Sequence, residues 1–329
     1  MRSLRILIWH VHGSYLYYLT KRSRHDFFVP SKPDRSGDYI GRWGHFPWGP
    51  NLHDVPAEEV KNLALDAIIF QRPNQYLEEQ HRILSEEQLR LPKIYIEHDP
   101  PWEDPTDQRH WVDDPNVLLV HVTPFNHLMW DSGRTPTTVI DHGVIVPDNV
   151  RYSGELARGL VKVNHLGRRG RKLGHDVYLQ AREQVPLDLV GMAAEEVPGG
   201  LKEVLHAQLP AFETRYRFLF NPIRYTSMGL AVVESMMLGM PIVGLATTEM
   251  ATAIENGISG FVDTDVNTLI DRMQDLIDNP ALARRLGEGA RRRAEQRFNM
   301  DRFMRNWDKA LSLATGIPLN TPAAIGTAS

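Results

Sequence analysis

The stretch from residue 218 to residue 241 constrains the fold of this chain more than any other. It begins with an apolar run at Phe218, passes through a turn that ends at Gly229, and closes with Gly239 and Pro241. A buried strand, a turn, and a short helix that stops before a glycine and a proline account for this order of residues. The pattern therefore predicts a strand–turn–helix unit of an α/β protein.

The turn of this unit has the properties of an anion site. A helix that begins near Gly229 presents free backbone N–H groups and the positive end of its dipole to the turn, and both favour a diphosphate. Glu234 lies about one turn inside the helix, and helical side chains lean back toward the N-terminus. Its carboxylate can accept hydrogen bonds from a ribose diol attached to the same diphosphate. An ordinary corner with a surface glutamate is the alternative that these residues alone leave open.

The segment 222–243 resembles a motif of the retaining glycosyltransferases of family 4, within the glycosyl transferases group 1. That motif is Pro-Ser-x-x-Glu-Gly-Phe-Gly-Leu-x-x-x-Glu-Ala-Met-Ala-x-Gly-x-Pro-Val-Val. Aligned with it without a gap, the chain keeps Pro222, Gly229, Leu230, Glu234, Met236, Gly239 and Pro241. The resemblance runs from about residue 162 to residue 307 and is thin over the first 150 residues. It implies the GT-B fold, an α/β fold of two Rossmann-like domains that face across a cleft, with a C-terminal helix that crosses back to the first domain.

The resemblance and the alternation of strands and helices predict how the chain is divided. Residues 1–150, together with a crossing helix at 300–316, are expected to form the N-terminal Rossmann-like acceptor-binding domain. Residues 151–299 are expected to form the C-terminal nucleotide-sugar-binding domain, and residues 317–329 a flexible tail. The sequence predicts strands at 5–9, 67–70, 93–97, 117–121, 137–140 and 161–166, and helices at 14–21, 56–65, 76–88, 267–278 and 300–314.

The resemblance also implies a diphosphate site made of two loops of the second domain. In the family, an arginine and a lysine of the first loop bind the diphosphate. Arg168 matches the arginine, whereas Leu173 occupies the place of the lysine and Lys172 precedes it. We expect Arg168 and Lys172 to be catalytic, with Arg171 or Arg224 as alternatives for the second cation. The donor nucleotide and diphosphate are expected to contact Arg224, Thr226, Ser227, Met228, Gly229, Leu230, Glu234 and Gly13.

Loops of the first domain are expected to contribute to the same ligands. Gly13 follows the first predicted strand, and the loops after strands of an open α/β sheet are usual ligand sites. In the family, a histidine at the position of His98 lines the donor sugar, which makes His98 a catalytic candidate; a structural histidine is the alternative. The loop 37–50 carries Trp43 and Trp48 as acceptor-binding candidates, and folding of these rings onto the core as a lid is the alternative.

Two departures from the family motif concern the donor sugar. Thr226 stands where the family has a glutamate that reaches the sugar hydroxyls, and a hydrogen bond to a charged group contributes roughly 1.5–3 kcal/mol. Thr248-Glu249 replaces a Gly-Gly pair, and Glu249 is a candidate sugar contact that would restore a carboxylate. These departures leave open a different donor preference, a low rate, or a pseudoenzyme that binds nucleotide sugar and transfers nothing.

The implied reaction moves a sugar from a nucleoside diphosphate to an acceptor hydroxyl with retention. Arg168, a second cation and the helix N-terminus would stabilise the leaving diphosphate, so we expect no metal and no cofactor. Asp263-Thr264-Asp265, the one Asp-x-Asp triplet, is interpreted as a helix cap. We favour a UDP-sugar over a GDP-sugar as donor, and a glycan, a lipid or a small molecule as acceptor.

Rival enzymes on the same frame are a nucleotide-sugar epimerase and a phosphorylase. A phosphorylase would need a cofactor lysine and a longer chain. A dinucleotide oxidoreductase is disfavoured because no Gly-x-Gly-x-x-Gly follows the first strand.

Composition limits the partners. The chain has 329 residues, no cysteine and a formal net charge of −4. The length suits two α/β domains, and the absence of cysteine excludes a disulfide scaffold. The negative net charge gives no general attraction to nucleic acid. No apolar run is long enough to span a bilayer and no signal-peptide pattern opens the chain, so we expect a cytoplasmic protein. Arg291-Arg292-Arg293 and Arg297 would allow peripheral contact with the inner face of the membrane if the acceptor is a lipid; a solvated helix face is the alternative.

Overall fold

The computed structural model describes residues 2–319, and it divides into two compact units. Within the described residues, the first unit comprises the chain up to Gly143 and from Met300 onward, and the second comprises Val144–Asn299. The second unit thus begins before the expected boundary at residue 150, because Val144 N donates to Phe298 O at 3.3 Å and ties the start of this segment to the second unit. Residues 320–329 of the tail expected at 317–329 lie outside the described part.

The first unit contains a parallel sheet of seven strands. Their order in the sheet is β3-β2-β1-β4-β5-β6-β7, so the order of strands reverses between β1 and β4. The strands are β1 (Arg5–Ile8), β2 (Asp26–Ser31), β3 (Leu52–Pro56), β4 (Ala67–Phe70), β5 (Lys93–Glu97), β6 (Val117–His121) and β7 (Thr137–Val139). The helices are α1 (Gly13–Lys21), α2 (Gln80–Ile83) and α3 (Pro124–Met129).

Two inner strands of this sheet are buried on both faces. Every residue of β4 and β6 is buried, as expected of parallel strands with cover on each side. The C-terminal helix Met300–Thr315 supplies part of that cover, with Phe303 and Trp307 fully buried. This helix belongs to the first unit, which confirms the predicted return of the chain.

The second unit contains a parallel sheet of five strands in the order β12-β11-β10-β8-β9. The strands are β8 (Leu156–Lys162), β9 (Leu187–Val190), β10 (Tyr216–Asn221), β11 (Ile242–Leu245) and β12 (Gly260–Asp263). The helices are α4 (Leu166–Arg169), α5 (His175–Arg182), α6 (Leu209–Glu213), α7 (Leu230–Met237), α8 (Met250–Ala253), α9 (Val266–Asp278) and α10 (Pro280–Arg297).

The predicted strand–turn–helix unit is present as β10, the turn 222–229, and α7. Gly229 is the N-cap residue of α7, and Gly239 follows the helix with φ +87°. The predicted helix cap at Asp263-Thr264-Asp265 is also confirmed, because the Asp265 carboxylate accepts from Asn267 N at 2.9 Å. Local sequence patterns therefore located the ends of these elements well.

Several elements differ from the predictions. The helix predicted at 56–65 is a short 3₁₀ turn, Ala57–Asn62, and the helix predicted at 76–88 is a π turn, Gln75–Glu79, followed by α2. The strand predicted at 161–166 ends at Lys162, because His165 adopts a left-handed conformation with φ +54° that leaves the sheet.

The strands β2 and β3 were not predicted. The edge strand β3 carries His53 and Asp54 and ends in Pro56, so it lacks an apolar pattern that a sequence analysis could detect. Within residues 2–319, no helix has both the length and the apolar content to cross a bilayer.

Candidate active site

Two loops of the second unit meet at one edge of its sheet. They follow the neighbouring strands β8 and β10, whose carboxyl ends lie side by side because the strands are parallel. Arg224 N and Tyr225 N donate to Lys172 O at 3.1 and 3.2 Å, and Arg224 Nη1 donates to Arg171 O at 2.8 Å. The structure thus brings together the two loops that the sequence assigned to a diphosphate.

A glycine makes this meeting possible. Gly174 has φ +79°, and a Cβ built at this position would lie 1.9 Å from Pro222 O. Any side chain would force the two loops apart, and the backbone conformation itself favours glycine. Gly174 therefore allows the first loop to pack closely against the turn.

Two arginines of these loops bind the same carboxylate. Asp176 binds Arg224 through both guanidinium nitrogens, at 2.5 and 2.8 Å, and also binds Arg171. The hydrogen bonds from Arg224 hold the pKa of Asp176 below its usual value. The charges of both arginines are therefore compensated by this carboxylate, which leaves less positive charge for a ligand than the sequence suggests.

Arg168 and Lys172 are placed differently. The Arg168 guanidinium is exposed and has no hydrogen bond or ion pair with residues 2–319. Lys172 Nζ lies 5.7 Å from the centre of the Tyr225 ring. Leu173, at the place of the family lysine, is buried in the core. The catalytic roles of Arg168 and Lys172 stay predictions.

The turn before α7 offers open space and an unused hydroxyl. A Cβ built on Gly229 would meet no atom within 4 Å. Ser227 is buried, and its Oγ has no hydrogen-bond partner in the part of the chain that the structure describes. Met228 is buried beside it, and Thr226 and Leu230 are half-buried. A buried hydroxyl without a partner at a helix N-terminus is consistent with a ligand that supplies the missing contact.

Glu234 belongs to a buried cluster of charges that the sequence analysis missed. Lys162 Nζ lies 2.5 Å from Glu213 Oε2 and 3.9 Å from Glu234 Oε2. Ser235 Oγ donates to the same Glu213 oxygen at 2.5 Å. Burial raises the pKa of Glu213 above its usual value. The sequence feature that could have indicated this cluster is Lys162, a charged residue that interrupts an apolar run at the end of a strand.

The surroundings of Glu249 bear on its predicted sugar contact. Its side chain is buried, forms an ion pair with Arg297, and accepts from Thr252 Oγ1 at 2.6 Å. Its charge is thus already compensated within the unit, and the sugar contact stays a prediction. Arg291 and Arg293 also pair with carboxylates, those of Glu295 and Glu255, at 2.8 and 3.1 Å. The predicted membrane contact of these arginines stays a prediction too.

The first unit has a cavity of about 240 Å³ at the carboxyl ends of β1, β4 and β5. It lies where the order of strands reverses, which is the usual ligand position in an open α/β sheet. Its lining combines aromatic rings with charged and polar side chains: Val11, His12, Gln71, Arg72, Pro73, Tyr95, Glu97, His98, Asp99, Trp102, Trp111 and Trp130.

His98 lies in the wall of this cavity in a defined orientation. Gln71 Nε2 donates to Trp9 O at 2.5 Å, which directs Gln71 Oε1 to His98 Nε2 at 2.8 Å. His98 Nε2 therefore carries the proton in the tautomer that this network assigns, and Nδ1 is the acceptor. Burial, followed by the nearby His12 and His142, lowers the pKa of His98 well below its usual value. A neutral imidazole is thus present at neutral pH.

The carboxyl group of Glu97 supports the other side of the cavity. Its two oxygens accept from Asp99 N at 2.9 Å and from His110 Nε2 at 3.1 Å. Burial raises the pKa of Glu97 well above its usual value and lowers the pKa of His110 to about 4. Trp130 Nε1 donates to Asp99 O at 2.8 Å, so the backbone of Asp99 is held on both sides.

The aromatic loop 37–50 does not line this cavity. Trp48 packs on His10 and Phe46, with ring centres 5.5 and 5.1 Å apart, as the lid alternative predicted, whereas Trp43 is 58% exposed. A Cβ on Gly13 would lie 2.5 Å from the Phe46 ring, so this loop also covers Gly13, the first residue of α1.

The tryptophans of the cavity are Trp102, Trp111 and Trp130, none of which the sequence analysis singled out. Trp102 could have been noticed, because it follows His98 closely in the loop after β5. Among residues 2–319, no three His, Asp or Glu side chains are grouped as ligands for a metal ion.

Residues 201–293 match the family model described as Glycosyl transferases group 1. The resemblance to this group is thereby confirmed. The group 1 segment contains the turn, Glu234, Glu249 and α7, and it lies entirely in the second unit.

A curated relative matches part of this chain. The trehalose synthase of Thermococcus litoralis is 26% identical over 157 residues, which is 40% of this chain and 38% of the relative. The matched part thus spans well under half of that protein.

Solved structures cover nearly the whole chain. A glycosyltransferase from Rickettsia africae ESF-5 has a TM-score of 0.69 at 12% identity, over 95% of this chain and 99% of its own. Anabaena Alr3699/HepE in complex with UDP-glucose has a TM-score of 0.66 at 15% identity, over 94% and 100%. At such identities the likeness shows the fold, and that fold is GT-B.

Proposed function

We propose that this chain is a retaining glycosyltransferase of family 4 that transfers a hexosyl group from a nucleoside-diphosphate sugar to an acceptor hydroxyl. One observation carries the proposal. The loops 168–173 and 222–229 meet at the N-terminus of α7, and Glu234 lies one turn further along that helix. This meeting of the two loops supports a site where cations, backbone donors and a carboxylate bind a nucleoside diphosphate.

Each part of this group has a role in binding the donor. Arg168 and Lys172 supply positive charge to the diphosphate, and Ser227 Oγ and the first backbone N–H groups of α7 donate to its oxygens. Glu234 accepts from the ribose hydroxyls. Lys162 and Glu213 hold Glu234 in place through the buried charge cluster.

The same groups account for catalysis without a metal. In the reaction, the bond between the anomeric carbon and the diphosphate oxygen breaks, and a bond from the acceptor oxygen to that carbon forms. The proton of the acceptor hydroxyl is released with the diphosphate. Negative charge that builds on the leaving group is stabilised by cations and N–H donors already in position. Retention is proposed on the resemblance to family 4.

UDP is the proposed nucleotide of the donor. The structural neighbour HepE was solved with UDP-glucose, and S. aureus TarM, a second neighbour, was solved with UDP. Thr226 in place of the family glutamate gives the sugar site a neutral hydroxyl, which bears on the choice of sugar more than on the choice of base.

The test is calorimetric titration of the full chain with UDP, GDP, dTDP and ADP, each with EDTA and with magnesium. We expect UDP to bind most tightly and equally well in EDTA. Turnover with UDP-hexoses is then measured, and the anomeric configuration of the product is determined by NMR. Binding that requires magnesium would contradict the metal-free mechanism, and inversion would contradict retention. Nucleotide binding without turnover of any sugar nucleotide would favour the pseudoenzyme.

A further inference from the structure

We propose that the cavity of the first unit binds one pyranose ring of the acceptor, so that the acceptor is a glycoside. The inference rests on the proposed transferase function and adds the chemical class of its second substrate. The cavity lies wholly within the first unit and lies apart in sequence from the group 1 segment.

The size of the cavity suits one sugar ring. Its volume of about 240 Å³ equals that of roughly eight water molecules in the liquid. Pockets that hold drug-sized ligands measure about 300–1,000 Å³. A single ring with its hydroxyl groups therefore matches the cavity in size.

The lining has the two kinds of surface that a sugar presents. A pyranose has faces made of C–H groups, which pack on indole rings, and a rim of hydroxyl groups, which need acceptors and donors. Trp111 and Trp130 form a packed aromatic wall with ring centres 5.1 Å apart, and Trp102 at the mouth is 49% exposed. Asp99 and His98 supply oxygen and nitrogen acceptors beside these rings.

The mouth of the cavity is held rigidly enough to recognise such a ring. The backbone of Asp99 is tied to Glu97 and to Trp130, as described above. Trp102 N and Glu103 N both donate to Gln108 Oε1 at 3.0 Å, which anchors the loop that carries Trp102. Binding groups that are already in place lose less entropy when a ligand binds.

Charge excludes the other ligand classes. The cation in the lining, Arg72, binds Asp38 Oδ1 at 2.6 Å, so its charge is compensated. The carboxylate of Asp99 then disfavours a phosphate or another anion. A purely apolar ligand, such as a lipid chain, would leave the polar groups of Gln71 and His98 facing hydrocarbon, which is unfavourable. A neutral ligand rich in hydroxyl groups satisfies all of these side chains.

The test separates the two substrates kinetically. Methyl glycosides of glucose, galactose, mannose and N-acetylglucosamine are screened for binding by saturation-transfer NMR and then used as acceptors with the sugar nucleotide found active. We expect at least one glycoside to bind without nucleotide. Trp102→Ala and Asp99→Asn should each raise the KM of that acceptor about tenfold or more and leave the KM of the donor within about twofold. Asp107→Asn, an exposed carboxylate in the same loop, is the matched control.

The outcomes are distinguishable. If UDP binds but no glycoside does, the acceptor inference is wrong and the transferase proposal stands. If no sugar nucleotide is turned over, the transferase proposal itself fails. If Trp102→Ala and Asp99→Asn raise the KM of the donor instead, the cavity holds the donor sugar and the inference is wrong. If Trp43→Ala removes glycoside binding and Trp102→Ala does not, the aromatic loop is the binding surface. Thermal unfolding of each variant verifies that it is folded.

Discussion

Lys162 lies between two carboxylates at the carboxyl end of β8, and the second of them is Glu234, the residue expected to bind ribose. The ammonium group is 3.9 Å from Glu234 Oε2 and 2.5 Å from Glu213 Oε2. Only 5% of the Lys162 side chain and 1% of the Glu213 side chain are exposed. A buried charge requires a partner, so this lysine links the core of the unit to the residue expected to bind ribose.

Replacement of Lys162 by methionine should destabilise the protein and weaken UDP binding. The variant leaves Glu213 buried without its cation, and breaking a buried ion pair costs about 3–5 kcal/mol. The free energy of unfolding, measured in urea, is expected to fall by about that amount. Lys202→Met, at an exposed lysine of the same unit, is the control. A change below about 1 kcal/mol would contradict the role of Lys162.

Replacement of Glu234 by alanine should weaken nucleotide binding and leave the fold intact. Lys162 keeps Glu213 as its partner in this variant, so no buried charge is orphaned. Loss of charged hydrogen bonds to the ribose costs about 1.5–3 kcal/mol, or roughly ten- to hundredfold in affinity. Calorimetric titration with UDP measures this, with Glu203→Ala as the control. Unchanged UDP affinity would remove the ribose assignment.

Replacement of Arg168 by alanine should lower the turnover number with little effect on stability. The guanidinium is exposed and has no ionic partner among residues 2–319, so folding does not depend on it. Loss of one preorganised donor to a developing charge costs roughly 10²–10³ in kcat. Arg169→Ala, the adjacent exposed arginine, is the matched control, and equal losses in both variants would argue against a specific role.

Replacement of Gly174 by alanine should separate the two loops that are proposed to bind the diphosphate. The new Cβ would lie 1.9 Å from Pro222 O, in addition to the cost of a left-handed conformation. Gly257→Ala is the comparison, because Gly257 also has a positive φ, +74°, but no atom lies within 4 Å of its Cβ position. We expect a loss of about 1–2 kcal/mol for Gly257→Ala and a clearly larger one for Gly174→Ala. UDP affinity should fall in Gly174→Ala alone, and equal behaviour of the two variants would exclude steric separation.

Stability should decrease as the pH falls below neutrality, in part because of His110. Burial lowers the pKa of His110 from 6.5 to about 4. Between these two pH values the unfolded chain binds a proton that the folded protein does not, so the free energy of unfolding falls as the pH is lowered. The contribution of His110 is about 3 kcal/mol and is lost fully below pH 4. Urea unfolding of the wild type and His110→Gln at several pH values tests this, since the other histidines are common to both. Parallel curves would contradict the prediction.

Short-range patterns were the most reliable guide to the fold. The helix α7 and the cap at Asp265 were predicted close to their observed ends, because apolar periodicity and capping act over a few neighbouring residues. The strands β2 and β3 and the π turn at Gln75 were missed. Their sequences carry no clear period, and pairing with distant strands determines their conformation.

The sequence by itself determined the strand–turn–helix unit, the helix N-terminus that suits a diphosphate, and the resemblance to the glycosyl transferases group 1. These properties depend on residues close together in the chain. Tertiary structure alone decided that Asp176 compensates Arg224, that Lys162 joins Glu213 to Glu234, and that Trp102, Trp111 and Trp130 enclose a cavity with His98. Such contacts depend on the order and register of strands far apart in sequence, which local preferences do not specify.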